Sequence, residues 1–332
     1  EMDYRRSQGE AVQWSDFLDD FPSLADVENE QTITRASHDT TAAYTEIFTD
    51  ATHSGTRQVI NPGDTIDDFD LLAELGRGSF ATVFLARQVS MQRLVALKVS
   101  ADHGMEAQTL AQLDHPCIVR IYDQRRARDF DLQLLYMQYL EGGTLLDAAD
   151  RVFKQDLSSI SGQTLVESID QSIADRGASP NYESSIRSSF LESSWDQTVC
   201  RIGYYLAQAL AYAHRKGVLH RDIKPANVLI GSDCGMKLAD FNISSAESVV
   251  GESRFGGSLA YMSPEQIRAF NRDDPFRSDQ LDARCDIYSL GVMLLHLLKG
   301  HLPFSTFSRS RSSSGLEVMV REREHSAERI NN

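Results

Sequence analysis

The sequence predicts an α+β fold with two lobes, a small β-rich lobe followed by a larger helical lobe. Short apolar blocks rich in strand-forming residues come first, at residues 69–75, 82–86, 94–99 and 131–137. Helical apolar spacing follows, in a stripe made of Val199, Ile202, Leu206, Leu210 and Ala213 and in a run over residues 286–299. The length of 332 residues and the 41% hydrophobic content are sufficient for a fold of this size.

An acidic leader, residues 1–68, precedes the first strand. Residues 1–70 hold 16 Asp and Glu against 4 Lys and Arg, so most of the net charge of −15 lies there. This composition predicts a largely disordered segment, although Trp14 and Phe17 mark an apolar spot that could fold on binding a partner. Because an acidic segment repels phosphates, we expect no nucleic-acid partner. An Asn-Pro-Gly-Asp turn at residues 61–64 marks the boundary.

The small lobe, residues 69–137, should contain one helix between its strands. Glu106, Leu110 and Leu113 recur at helical spacing, and Pro116 ends the pattern. Residues 138–143 are then expected to form a hinge between the lobes, where two glycines make the backbone permissive.

A Ser-rich insertion at about residues 154–194 interrupts the larger lobe, which should span residues 144–304. Thr164 and Glu167 form a potential capping box, and Gly177 stands where a helix C-cap would be. Leu165 and Ile169 lie four residues apart between them, so we predict one short helix flanked by irregular chain. The residues do not indicate its function, and a plain surface insertion is the simpler interpretation.

Beyond Phe304 the chain becomes rich in Ser and Arg, and residues 305–332 are expected to be a polar tail without further helices. The four cysteines, Cys117, Cys200, Cys234 and Cys285, are widely spaced and form no C-x-x-C pair. They are therefore read as reduced thiols of a cytoplasmic protein rather than as disulfide or zinc ligands. No stretch is apolar enough for a membrane span, and no signal peptide is visible.

One loop carries most of the chemistry. The run His220-Arg221-Asp222-Ile223-Lys224-Pro225-Ala226-Asn227 places a carboxylate, a lysine and an amide at fixed offsets between two apolar stretches. It resembles the H-R-D-x-x-x-x-N catalytic loop of bacterial-like, Hanks-type Ser/Thr protein kinases. The resemblance implies that Asp222 accepts the proton of a substrate hydroxyl, that Lys224 assists it and that Asn227 binds Mg²⁺.

Further motifs within residues 69–304 resemble the nucleotide-binding parts of the same family. The run from Gly76 to Val83, Gly-Arg-Gly-Ser-Phe-Ala-Thr-Val, resembles the Gly-rich loop, and the strand ending at Lys98 resembles the one whose lysine pairs with phosphates and with a helix glutamate, here Glu106. The resemblance implies contacts to the nucleotide from Leu75, Gly76, Arg77, Gly78, Ser79, Phe80, Ala81, Val83, Ala96, Lys98, Gln138, Leu140 and Leu229.

Three later motifs concern Mg²⁺ binding, the protein acceptor and the support of the catalytic loop. Asp240-Phe241-Asn242 stands where the family has D-F-G, which implies that Asp240 is a second Mg²⁺ ligand. Ser258 opens a segment that resembles the substrate-proximal end of the activation segment, and it would hydrogen-bond Asp222 and Lys224. Asp286 would hold the catalytic loop backbone by resemblance, whereas its residue type alone indicates a helix N-cap.

The predicted function is ATP- and Mg²⁺-dependent phosphoryl transfer to Ser and Thr hydroxyls of proteins, with autophosphorylation in trans as a further expectation. A pseudokinase or scaffold is the alternative, which the joint presence of Lys98, Asp222, Asn227 and Asp240 disfavours. A small-molecule phosphotransferase is disfavoured by Lys224 and by residues 258–265. Because no pattern for the final helices of the family is found, the large lobe is expected to be truncated at its C-terminus.

Overall fold

The computed structural model describes residues 60–78, 81–100, 112–127, 132–156, 158–180, 183–241, 258–271, 273–304 and 313–330. Residues 1–59 of the acidic leader, residues 101–111 with Glu106 and Leu110 of the predicted helix, and Asn242 at the third position of the Asp240 motif lie outside these residues. Ser79 and Phe80 of the Gly-rich run also lie outside them.

A six-stranded antiparallel sheet forms the small lobe, in the order β1-β2-β3-β4-β6-β5. All four predicted apolar blocks are confirmed as strands. Strand β5 was not predicted, because its sequence, Ile-Tyr-Asp-Gln-Arg-Arg-Ala, is mostly polar and it occupies a sheet edge with little burial. The strands are β1 Thr65–Ile66, β2 Phe69–Arg77, β3 Ala81–Gln88, β4 Arg93–Ser100, β5 Ile121–Ala127 and β6 Leu132–Gln138.

The core of the small lobe begins earlier than the predicted boundary at residue 69. Phe69, Phe84 and Leu97 are fully buried at its centre, as the alternation of each strand predicts. Ile60 and Ile66 belong to the same cluster. The small lobe therefore begins at about residue 60 rather than at residue 69.

Seven described helices and a small sheet build the larger lobe. The predicted apolar stripe is confirmed in the helix Trp195–Arg215. None of the five residues of the stripe is more than 2% exposed. No helix among the described residues is long and apolar enough to cross a bilayer. The helices are α1 Leu145–Val152, α2 Gly162–Asp175, α3 Ser185–Leu191, α4 Trp195–Arg215, α5 Pro264–Phe270, α6 Arg284–Lys299 and α7 Ser313–Ile330, and the sheet is β7 Gly143–Thr144, β8 Val228–Ile230 and β9 Met236–Leu238.

The insertion contributes to the core of the larger lobe. The predicted helix is confirmed as α2, but its N-cap is Ser161, and Thr164 is the N3 partner of the capping box. Leu165 and Ile169 are fully buried against the neighbouring helices. The simpler interpretation of this stretch as a plain surface insertion therefore does not describe α2.

The expectation of a tail without helices beyond Phe304 is wrong for residues 313–330. Helix α7 buries Met319 and Val320 in a cluster that also contains Met262 and Ile267. Its sequence carries few apolar residues, because one short stripe is enough to pack it against α5. Arg323, on the same face, is only 1% exposed.

Candidate active site

The loop after α4 places two polar side chains, those of Lys224 and Asn227, against Asp222. Lys224 Nζ donates to Asp222 Oδ2 at 2.8 Å, and Asn227 Nδ2 donates to the same oxygen at 3.0 Å and to Asp222 O at 2.7 Å. Lys224 Nζ also donates to Ser258 Oγ at 2.7 Å. Asp222, Lys224, Asn227 and Ser258 therefore lie together, and of the two hydrogen bonds expected of Ser258 the one to Lys224 is present.

Asp286 holds the backbone of this loop through hydrogen bonds to its N–H groups. Its Oδ2 accepts hydrogen bonds from the His220 N–H and from His214 Nε2, each at 2.8 Å, and its Oδ1 accepts one from the Arg221 N–H at 2.7 Å. Burial alone would raise the pKa of Asp286, but these hydrogen bonds outweigh it, so the pKa lies below its ordinary value. Asp286 is not a helix N-cap, because α6 begins two residues earlier, with Ala283 at the cap.

His220 links the loop to β9. Its Nε2 lies 2.9 Å from Ala239 O and therefore carries the proton, while Nδ1 accepts from the Asp222 N–H at 3.3 Å. The ring is fully buried and packs against Phe241 in a tilted arrangement, with 4.4 Å between the ring centroids and 41° between the ring planes. Burial lowers the pKa of His220, which agrees with a neutral ring that uses both nitrogens.

Lys98 and Asp240 meet across the cleft between the lobes. Lys98 Nζ lies 3.3 Å from Asp240 Oδ1, and the Asp240 side chain is 46% exposed. The Lys98 ammonium holds the pKa of Asp240 below its ordinary value. Asp240 has a φ of 54°, in the left-handed region, so the backbone at this residue is held in a conformation that non-glycine residues seldom adopt.

The residues present fit a magnesium ion bound together with nucleotide phosphates. Asn227 commits its side-chain nitrogen to Asp222, which leaves its oxygen as a ligand, and the exposed Asp240 carboxylate is the second oxygen donor. No group of three or more His, Cys, Asp or Glu side chains with metal-ligand geometry occurs among the described residues. A site with few protein ligands matches the preference of Mg²⁺ for one or two carboxylates completed by water and phosphate oxygens.

A small apolar cluster lines the cleft between the two lobes, and its residue Ile121 also packs against the core of the larger lobe. It consists of Ala96, Val119, Leu135, Met137, Leu140 and Ala239, with the partly buried Leu75, Val83, Ile121 and Leu229 packed against it. Five of these residues are predicted nucleotide contacts, namely Leu75, Val83, Ala96, Leu140 and Leu229. The cluster contains residues of both lobes. A flat aromatic ligand bound there would therefore contact apolar side chains from both lobes at once.

The Gly-rich run and the hinge offer main-chain groups to this cleft. Gly76 pairs with Val83 across the β2–β3 turn, and the Gly78 N–H donates to Ala81 O at 2.8 Å. Arg77 Nη2 lies 2.6 Å from Glu74 Oε2 in an exposed ion pair. The Gln138 N–H is committed to Arg120 O at 2.9 Å, so Gln138 can offer a ligand only its carbonyl.

Three further residues support the site and were not found in the sequence. Gln266 Nε2, on α5, donates to Arg221 O at 2.8 Å. Arg323, on α7, donates from Nε to Met262 O at 2.9 Å and from Nη2 to Leu259 O at 2.8 Å, directly after Ser258. His214 completes the bonds to Asp286. No local motif marks these residues, because each acts through a contact that is distant in sequence.

Comparisons with known proteins agree with this geometry. A family model described as protein kinase domain matches residues 182–330, which include α7. The Ser/Thr-protein kinase PknL of Mycobacterium tuberculosis (strain CDC 1551 / Oshkosh) is 29% identical over 266 residues, covering 76% of this chain and 54% of PknL. The Ser/Thr-protein kinase PknB of Mycobacterium leprae (strain TN) is 31% identical over 260 residues, covering 73% of this chain and 34% of PknB.

The chain thus spans about half the length of PknL and about a third of PknB. Both relatives are named as Ser/Thr kinases, and the residues matched by the family model contain the catalytic loop, Asp240, Ser258 and Asp286. The chain belongs to the protein kinase family, with a domain of the bacterial-like, Hanks-type Ser/Thr class.

Proposed function

We propose that this protein transfers the γ-phosphoryl group of ATP to Ser and Thr hydroxyls of proteins. The observation that carries the proposal is the lysine bridge, in which Lys224 Nζ lies 2.8 Å from Asp222 Oδ2 and 2.7 Å from Ser258 Oγ. This bridge joins the proton acceptor to the segment on which a peptide acceptor would lie. The Lys98–Asp240 pair faces it from the nucleotide side.

Asp222 is the proposed proton acceptor. Lys224 and Asn227 both bond its Oδ2, and no donor among the described residues contacts Oδ1, which is left to accept the proton of the acceptor hydroxyl. The two donors hold the carboxylate in place, so the work of the site is positioning and electrostatic stabilisation. ATP with Mg²⁺ supplies the phosphoryl group and neutralises phosphate charge. Lys98, Asn227 and Asp240 are the residues proposed to hold them.

The adenine edge is proposed to bind the hinge main chain. The Gln138 N–H is occupied by Arg120 O, so the Gln138 carbonyl would accept from the exocyclic amine and Leu140 would supply its own main-chain groups. Val83 and Ala96 would cover one face of the ring and Leu229 the other. These assignments use the cluster that spans the two lobes.

Regulation by autophosphorylation in trans is proposed as part of this function. The Nε atom of Arg221 is buried and has no hydrogen-bond partner among the described residues. A phosphoserine in the stretch of sequence between Phe241 and Ser258 would supply a negatively charged acceptor for this guanidinium. The candidates are Ser244, Ser245, Ser248 and Ser253, and replacing all four by Ala without loss of activation would contradict this part. The cytoplasmic location stays a prediction.

Transfer of labelled γ-phosphate to the chain itself and to a generic protein acceptor tests the proposal. Wild type should transfer phosphate with Mg²⁺, and Asp240→Ala should not. The matched control is Asp279→Ala, which removes an exposed carboxylate outside the cleft and should behave as wild type. A folded wild type that transfers nothing would favour a scaffold that binds partners without catalysis.

A further inference from the structure

The insertion reaches the hinge through the residue that ends α2. Arg176 is the C-cap of this helix, and its Nη1 donates to Glu141 O at 2.9 Å and to Ser172 O at 3.2 Å. Glu141 directly follows Leu140, whose main chain is proposed to bind adenine. One guanidinium thus joins the end of the insertion helix to the hinge backbone.

The two hinge glycines permit this close approach. A Cβ on Gly143 would lie 2.9 Å from Arg176 Nη2, and Gly143 has a φ of +80°, which glycine adopts without strain. A Cβ on Gly142 would lie 3.1 Å from Ile169 Cγ2 of α2 and 2.7 Å from Ile230 O. These glycines therefore serve contact with the insertion as well as backbone freedom.

Helix α2 itself is firmly anchored. Ile169 and Ile173 are fully buried. Arg151 of α1 donates to Ser168 O at 3.2 Å and pairs with Asp175 at 2.9 Å. Arg176 therefore connects the hinge to a fixed part of the larger lobe.

We propose that Arg176 is a positioning residue for nucleotide binding, which it serves by holding the Glu141 carbonyl against α2. The hinge main chain is then ordered before the adenine arrives. The Gln138 and Gly142 N–H groups keep their own bonds, to Arg120 O and Ile230 O, so without Arg176 it is the Glu141 peptide between them that must be ordered on binding, and ordering lowers affinity. The proposal rests on the proposed function, because it concerns the site that would bind ATP.

Nucleotide affinity measured on the full chain tests the proposal, with Mg²⁺–ADP as the probe in isothermal calorimetry. Arg176→Ala should bind about fivefold more weakly, at the lower end of the range typical for coupling between positions, because the contact is open to solvent. Arg176→Lys keeps the charge and a single donor nitrogen, so its loss of affinity should be smaller. It also serves as a second variant if Arg176→Ala folds poorly.

The matched control is Arg187→Ala. Arg187, on α3, pairs with Asp170 of α2, with 2.8 Å between Nη1 and Oδ1. The Arg187 side chain is more buried than that of Arg176. Its loss should lower the thermal midpoint yet leave ADP affinity within about twofold of wild type, as expected for independent sites. Equal affinity of wild type and Arg176→Ala, or equal weakening by Arg187→Ala, would overturn the proposal. A folded wild type that binds no nucleotide would overturn the proposed function itself, and this inference with it.

Discussion

Replacing Asp286 by Asn should both destabilise the protein and impair catalysis. The carboxylate accepts hydrogen bonds from three nitrogen donors, two at Oδ2 and one at Oδ1, with a longer one from Cys285 Sγ to Oδ1, and is 1% exposed. An amide has one oxygen, which can serve the two donors at the Oδ2 position. Its NH₂ group would then face the Arg221 N–H, donor against donor.

The size of the effect follows from these contacts. Losing one hydrogen bond to a charged acceptor costs about 1.5–3 kcal/mol, and weakening the other two adds about 1 kcal/mol. We therefore expect a loss of about 3 kcal/mol in the free energy of unfolding. The Arg221 backbone, with a φ of 63°, depends on this bond to stay in the left-handed region. Its relaxation would displace Asp222 and lower kcat at least about tenfold, which corresponds to about 1.4 kcal/mol.

Urea unfolding followed by fluorescence gives the stability, and phosphate transfer at saturating ATP gives kcat. Asp279→Asn makes the same chemical change at an exposed position and should leave both unchanged. An Asp286→Asn protein within about 0.5 kcal/mol of wild type, or with full activity, would refute the reasoning from the three hydrogen bonds.

Three further predictions concern charge. Lys98→Met should abolish transfer but change stability by less than about 1 kcal/mol, because its ion pair with Asp240 is partly exposed. Acid should destabilise the fold below the ordinary His pKa of 6.5, since burial lowers the pKa of His220 and the unfolded chain binds the proton first. This histidine then contributes a loss of up to about 1.4 kcal/mol per pH unit until the pH reaches its folded pKa. Arg323→Ala should cost about 3 kcal/mol and raise KM for the protein acceptor more than for ATP, because it leaves the buried Met262 carbonyl and the partly buried Leu259 carbonyl without their donor.

Each of these predictions has its own measurement. Denaturant unfolding of Lys98→Met with a loss well above 1 kcal/mol would assign the lysine a structural role. Stability that stays constant between about pH 6.5 and 5 would contradict a neutral, buried His220. Arg321→Ala, which removes an arginine 72% exposed on the same helix, is the control for Arg323→Ala. Equal behaviour of the two would refute the importance of the buried guanidinium.

The parts of the fold predicted well are those in which neighbouring residues carry the signal. Strand alternation and the helical stripe of α4 are local patterns, and burial follows them. The strand β5, the helix α7 and the boundary near Ile60 were missed, because a polar edge strand and a sparsely apolar helix are stable only against the elements they contact. The capping box of α2 was shifted by three residues, since Ser161 and Thr164 are both acceptable caps.

The sequence by itself determined the catalytic loop and the family, because that chemistry needs a carboxylate, a lysine and an amide within one short turn. It also placed Asp240 and Lys98, whose roles stay predictions. Only the tertiary structure decided what surrounds them. It supplies the three nitrogen donors to Asp286, the bond from Arg323 of α7 to the main chain next to Ser258, and the bond from Arg176 at the end of α2 to the hinge. Each of these contacts joins residues far apart in the chain. Most of them involve a main-chain atom, which every residue type has, so the sequence does not mark the partner.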